Sequence, residues 1–134
     1  MNRRADREHL VKMVYEMHMN SDFSLLRYEK YCEQYLEGKP DAYFESTSRI
    51  IIANRDVIDR EIEKNSRNWK ISRMPAVDLA ILRVAAAEIL YESDVPDEVS
   101  INEAVELAKK YGIEKSPGFI NGLLGSMVRE HAGQ

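Results

Sequence analysis

The sequence predicts an all-α fold, a compact helical domain of about six or seven helices around one buried central helix. Three observations predict it. Apolar residues recur at three- and four-residue spacings along nearly the whole chain. One stretch, Ala76–Leu90, is apolar almost all round, the pattern of a helix covered on every side. Hairpin signals and fixed-period repeats are both missing. The 134 residues, 44% apolar and 31% charged, read as a single domain, 1–134, large enough to bury a core.

The elements follow in order. Leu10, Val14 and Met17 recur at helical spacing, with Val11 and Met13 widening the stripe, so a first helix runs from about Asp6 to Met19. Asn20-Ser21-Asp22 breaks it. Leu25, Tyr28, Cys32 and Tyr35 form the stripe of a second helix, which Gly38-Lys39-Pro40 ends. A third, from Asp41 to about Lys64, carries Ile51, Ile58 and Ile62 on one side. Pro75 opens the fourth, where a missing backbone N–H costs nothing. Its charges, Asp78, Arg83 and Glu88, are spaced by five and point three ways, so each needs its own partner.

Ser100-Ile101-Asn102-Glu103 reads as a capping box, with Ser100 as N-cap. Ile101, Ala104, Val105 and Ala108 then face the core and Glu103, Glu106, Lys109 and Lys110 face water. Gly112 stands where a left-handed C-cap belongs. Ser116-Pro117 opens the last helix with a serine N-cap, and Ile120, Leu123, Leu124 and Met127 form its stripe. Gly118, Gly122 and Gly125 read as points of close helix approach.

Composition excludes several classes. The apolar runs Leu79–Leu82 and Val84–Ala87 fall far short of a membrane span, and the charged N-terminus lacks a signal-peptide segment. The expectation is an intracellular, cytoplasmic protein. One cysteine, Cys32, excludes a disulfide framework and reads as a core thiol. His9, His18 and His131 have no metal-ligand spacing, no phosphate loop is present, and no carboxylate pair stands out. No metal, cofactor or catalytic residue is expected, and the chain does not read as an enzyme.

The net charge of −4 hides two basic islands. Residues 1–12 hold Arg3, Arg4, Arg7 and Lys12 against Asp6 and Glu8, or +2, leaving 15 − 21 = −6 for the rest. Lys64 to Arg73 holds four cations and no acid. Arginines in a first helical turn oppose the helix dipole, and such placement invites an anionic partner. Guanidinium groups fork onto phosphate and stack on bases, which suits single-stranded RNA. Tyr28, Tyr31, Tyr35 and Tyr43 read as packing at the core boundary, and Trp69 as a packing anchor.

Read as ordered text, Asn68-Trp69 with Arg73, Asp78-Leu79-Ala80-Ile81-Leu82-Arg83 with Glu88, Val95-Pro96, the run from Ser100 to Tyr111, and Ser116 with Phe119-Ile120-Asn121-Gly122 resemble the NusB family of transcription antitermination factors. The start, Arg3-Arg4-Ala5-Asp6-Arg7-Glu8, is similar to that family's arginine-rich motif. The resemblance spans the chain and is sharpest from about residue 68 to 125. It implies a non-enzymatic RNA-binding protein without a cofactor. Such a protein pairs with a NusE-like small-subunit ribosomal protein on boxA RNA of ribosomal RNA operon transcripts, in an RNA polymerase antitermination complex. By position it implies Arg3, Arg4, Arg7, Lys12, Lys115 and Ser116 as RNA contacts and Tyr15 and Asp78 as partner contacts. Asp6 and Glu8 interrupt the arginine motif, which shifts weight onto the partner. Two alternatives stay open. One is a stand-alone protein-interaction scaffold; the other is a noncatalytic helical domain like those preceding some ribosomal RNA methyltransferases.

Overall fold

A computed structural model describes residues 2–67 and 69–133. Asn68, part of the motif quoted above, lies outside the described residues. Six α-helices follow one another: α1 (Arg3–Met19), α2 (Leu25–Tyr35), α3 (Ala42–Lys64), α4 (Ala76–Tyr91), α5 (Asp97–Tyr111) and α6 (Ser116–Ala132). A single 3₁₀ turn, Ile71–Arg73, leads into α4, and there is no strand among the described residues.

α4 is the axle. It packs against α1 and α3 on one side and α5 and α6 on the other. Every residue from Asp78 to Ile89 is buried, as its all-round apolar sequence predicts. Leu10, Met13 and Met17 of α1, Phe44, Ile51, Ile58 and Ile62 of α3, and Ile120, Leu124 and Met127 of α6 close around it. Cys32 is buried, and burial raises its thiol, which keeps it a protonated core side chain.

The three α4 charges find separate partners. Arg83 forks onto Asp59 of α3 at 2.8 Å through both Nε and Nη2, and its Nη1 lies 3.1 Å from His18 Nδ1. Burial and the Arg83 charge lower the His18 pKa, so the ring stays neutral. Glu88 gathers Arg7, the Tyr43 hydroxyl and the Ser100 hydroxyl. Asp78 lies beside Ser116, and its Oδ1 has no hydrogen-bond partner among the described residues.

Local signals misled in six places. α1 begins at Arg3, not Asp6, because the Asn2 side chain accepts from the Ala5 amide at 2.8 Å and caps it one turn earlier. The stripe of α2 is Tyr28, Tyr31 and Cys32, while Leu25 and Tyr35 are exposed at its ends. The capping box at Ser100 does not form. α5 starts at Asp97 after Pro96, and Ser100 sits inside the helix donating to Glu88. Glu103, expected in water, is half-buried between Arg4 and Arg7. Gly112 is extended, at φ −89° and ψ −173°, instead of left-handed. A side chain there would lie 2.6 Å from Ser116, so close approach and not φ requires the glycine. Conversely, a Cβ at Gly118 or Gly122 would meet nothing within 4 Å, so neither serves helix packing.

Candidate nucleic-acid and partner interface

The N-terminal cations do not share one surface. Arg3 is exposed, its guanidinium 4.3 Å above the centre of the Tyr43 ring. Arg4 reaches across to α5, with Nε 3.0 Å and Nη2 2.7 Å from the Glu103 carboxylate, yet its side chain remains 74% exposed. Arg7 points inward. It is 6% exposed and forks onto Glu88 at 2.7 and 3.1 Å, with Glu103 3.6 Å away. The three arginines of the sequence motif are therefore divided, two guanidinium groups outside and one inside. The reason lies on α4, where buried Glu88 needs a cation and Arg7 supplies it.

Lys12 is exposed on the same helix, 3.8 Å from Glu8. Glu8 also accepts from Lys110 at 2.9 Å and from the Tyr111 hydroxyl, and those two bonds hold its carboxyl below the usual range. Beside Lys12 a cleft of about 360 Å³ opens between α1, α2 and the ends of α4 and α5. Tyr15, Tyr31, Tyr35 and Tyr111 line it with His9 and Val77. The Tyr31 hydroxyl lies 2.8 Å from His9 Nδ1, and burial lowers the His9 pKa, so the ring is neutral. Tyr28 and Tyr43 pack inward as the sequence suggested, but Tyr15, Tyr35 and Tyr111 are exposed at the rim. The signal available in the sequence was the Tyr31/Tyr35 pair one turn apart. It pointed at the right ring cluster but could not show that Tyr15 and Tyr111 join it from other helices.

Of the two expected partner residues, only Tyr15 lines the cleft, together with Val77, the neighbour of Asp78. Asp78 itself is only 3% exposed, and burial raises its carboxyl, offset in part by the Ser116 hydroxyl. An accessible carboxylate facing a partner was expected, whereas this one is covered. Ser116 is equally covered, 1% exposed, its Oγ accepting from the Ile113 amide at 3.0 Å. Lys115, just before α6, is exposed. Of the eight residues expected at the interface, Arg3, Arg4, Lys12, Tyr15 and Lys115 are at the surface, while Arg7, Asp78 and Ser116 lie beneath it.

Known proteins are similar to this chain in sequence and in fold. Residues 4–129 match the NusB family. The transcription antitermination protein NusB of Alkaliphilus oremlandii is 44% identical over 131 residues, covering 97% of this chain and 95% of that protein. That of Thermoanaerobacter pseudethanolicus is 46% identical over 134 residues, covering 97% and 92%. Among solved structures, T. maritima NusB superposes with a TM-score of 0.85 at 34% identity, covering 98% of this chain and 94% of that one. A crystal structure of the antitermination factors NusB and NusE in complex with dsRNA shares the fold, with a TM-score of 0.82 at 21% identity and 96% of each chain covered. No described helix is long and apolar enough to cross a membrane. On family match, identity and fold together, this chain belongs to the NusB family.

Proposed function

We propose that this chain is a transcription antitermination factor. It binds boxA RNA of ribosomal RNA transcripts together with a NusE-like ribosomal protein, in the cytoplasm and as part of the RNA polymerase antitermination complex. The observation that carries this reading is end-to-end similarity to proteins named for antitermination, at 44% and 46% identity. The surface supports it. Arg3 and Arg4 are exposed cations at the start of α1, and Lys12, two turns further on, lines a tyrosine-rich cleft. Cations hold phosphates and aromatic faces stack splayed bases, the two elements of single-strand recognition.

Work here is done by binding, and no catalytic step is assigned. Arg3, Arg4 and Lys12 neutralise phosphates, Arg4 by exchanging Glu103 for the RNA. Lys115 adds a cation at the start of α6, where free backbone amides favour an anion. Arg7 acts beneath them as a positioning residue, fixing α1 to α4 and α5. Tyr15 contacts the partner, and Asp78 with Ser116 holds the start of α6 against α4 behind that contact.

Fluorescence anisotropy with a labelled boxA-type strand, with and without the ribosomal protein, tests the reading. Salt-sensitive binding that exceeds a scrambled strand and tightens with the partner is expected. Equal affinity for both strands would replace it with the scaffold reading.

A further inference from the structure

A second groove lies away from α1, between the loop after α3 and one face of α6. It encloses about 380 Å³. Trp69 forms one wall, Arg67 and Arg129 stand at the rim, and Gly118 and Gly122 form part of the floor. None of its lining residues is acidic, in a chain whose net charge is −4. Neither arginine has an ion-pair partner among the described residues. Trp69 is 53% exposed, which is far more than the packing anchor expected of it.

Hydrogen bonds join the two sides of the groove. Ser126 of α6 donates to Asn65 Oδ1 at 2.7 Å, and Asn65 Nδ2 donates to the Glu61 carbonyl at 2.8 Å. The Ser66 hydroxyl lies between the Glu63 and Trp69 carbonyl oxygens, at 2.7 and 2.5 Å. These bonds tie the loop to α6 and hold Arg67 in the left-handed region at φ 52°. Two glycines on an exposed helix face weaken the helix, and nothing within the protein requires them there. Their effect is to keep the floor open. On its other side Trp69 borders a hollow of mixed charge, where Asp56, Asp59, Glu61 and Glu63 stand with Arg60, Lys64 and Lys70. Only the α6 side of the indole offers an anionic strand cations without acids among them.

We propose that this groove is a second docking site for single-stranded RNA, in which a base stacks on Trp69 while Arg67 and Arg129 hold the flanking phosphates. An exposed indole in a groove also lined by two unpaired guanidinium groups fits a splayed nucleotide, whose base face is free, and does not fit a duplex, whose bases are already stacked. The inference rests on the RNA-binding reading and extends it. The RNA contacts α6, Arg67 and Trp69 as well as α1, so sequence flanking boxA contributes to binding.

Trp69 is the sole tryptophan of the chain, so its emission reports on this groove directly. The test titrates the full chain with a boxA-type strand and with the same strand lengthened at both ends. The lengthened strand is expected to quench Trp69 and to bind more tightly. Trp69→Ala should weaken binding of the lengthened strand roughly tenfold while leaving the short one unchanged. Arg67→Ala with Arg129→Ala should flatten the salt slope by about 1.4, at ~0.7 per phosphate. Gly122→Leu, which fills the groove without burying anything, should reproduce the Trp69→Ala loss in a protein of unchanged or higher melting temperature. Binding of boxA with undisturbed emission and unchanged affinities in all three variants would overturn the proposal alone. Loss of the ribosomal protein with RNA affinity intact in Trp69→Ala would overturn it in favour of protein docking. No binding of either strand overturns it together with the function proposed above.

Discussion

The start of α1 and the segment from Lys64 to Arg73 are both basic as text, and they differ as structure. Three of the four cations in residues 1–12 are held by acids: Arg4 by Glu103, Arg7 by Glu88 and Lys12 by Glu8. In the second segment Lys64 is held by Glu130, while Arg67, Lys70 and Arg73 have no ion pair among the described residues. The difference teaches that a basic residue in a sequence is not yet an available charge. Arg7 has been absorbed into the frame by a carboxylate on the central helix, and Arg4 is on loan to α5. The second segment has no acid within it, and of its cations the acids of α3 beside it pair only with Lys64, so Arg67, Lys70 and Arg73 stay open to solvent.

The largest expected effect breaks the comparison at Arg7. Arg7→Ala strands the buried Glu88 carboxylate and should lower stability by about 3–5 kcal/mol, measured as a shift in the urea midpoint. An unchanged midpoint would return Arg7 to the surface cations. Leu82→Ala, fully buried on α4, sets the scale for a pure packing loss, roughly 2–5 kcal/mol by the same measurement. Arg3→Ala, in contrast, should shift the midpoint far less, because its exposed guanidinium makes no ion pair among the described residues.

Asp6 offers a smaller effect with a definite pH dependence. Burial, reinforced by the neighbouring Asp41, pushes its carboxyl up to about 7. A carboxyl with a raised folded-state pKa is neutral in both states at low pH and favours unfolding once the unfolded chain ionises. Its unfavourable contribution grows as pH climbs from about 4 to about 7 and is constant above that. Asp6→Asn should therefore raise the melting temperature at pH 8 and leave it nearly unchanged at pH 4. The gain should be at least the ~1.4 kcal/mol that one unit of pKa represents. Equal gains at both pH values would show that ionisation of Asp6 is not the cause.

Much of the fold was legible because it rests on periodicity. The all-round apolar Ala76–Leu90 announced the central helix, and Ile51, Ile58 and Ile62 announced the inner face of α3. What was not legible depended on partners distant in sequence. Ser100 carries a capping signature, but Glu88, twelve residues earlier, uses its hydroxyl. Gly112 looks like a left-handed cap, yet Ser116 closes in on it and the backbone stays extended. The candidate site divides the same way. Arg3, Arg4 and Lys12 were readable as a charged arm. That Arg7 turns inward follows from Glu88, and that Tyr15, Tyr35 and Tyr111 converge follows from how three helices meet. Trp69 read as an anchor because an isolated tryptophan usually packs, whereas here the loop holds it outward beside α6.

The measurement that tests the account most directly is the salt dependence of boxA-type RNA binding by the wild type and by the Arg3→Ala/Arg4→Ala variant. Both guanidinium groups are outside the core, so the variant should unfold at the wild-type midpoint. With two phosphate contacts removed, its plot of log affinity against log salt should flatten by about 1.4, with binding weakened at low salt. A folded variant with the wild-type slope and affinity would contradict the assignment of α1 as the RNA-facing helix.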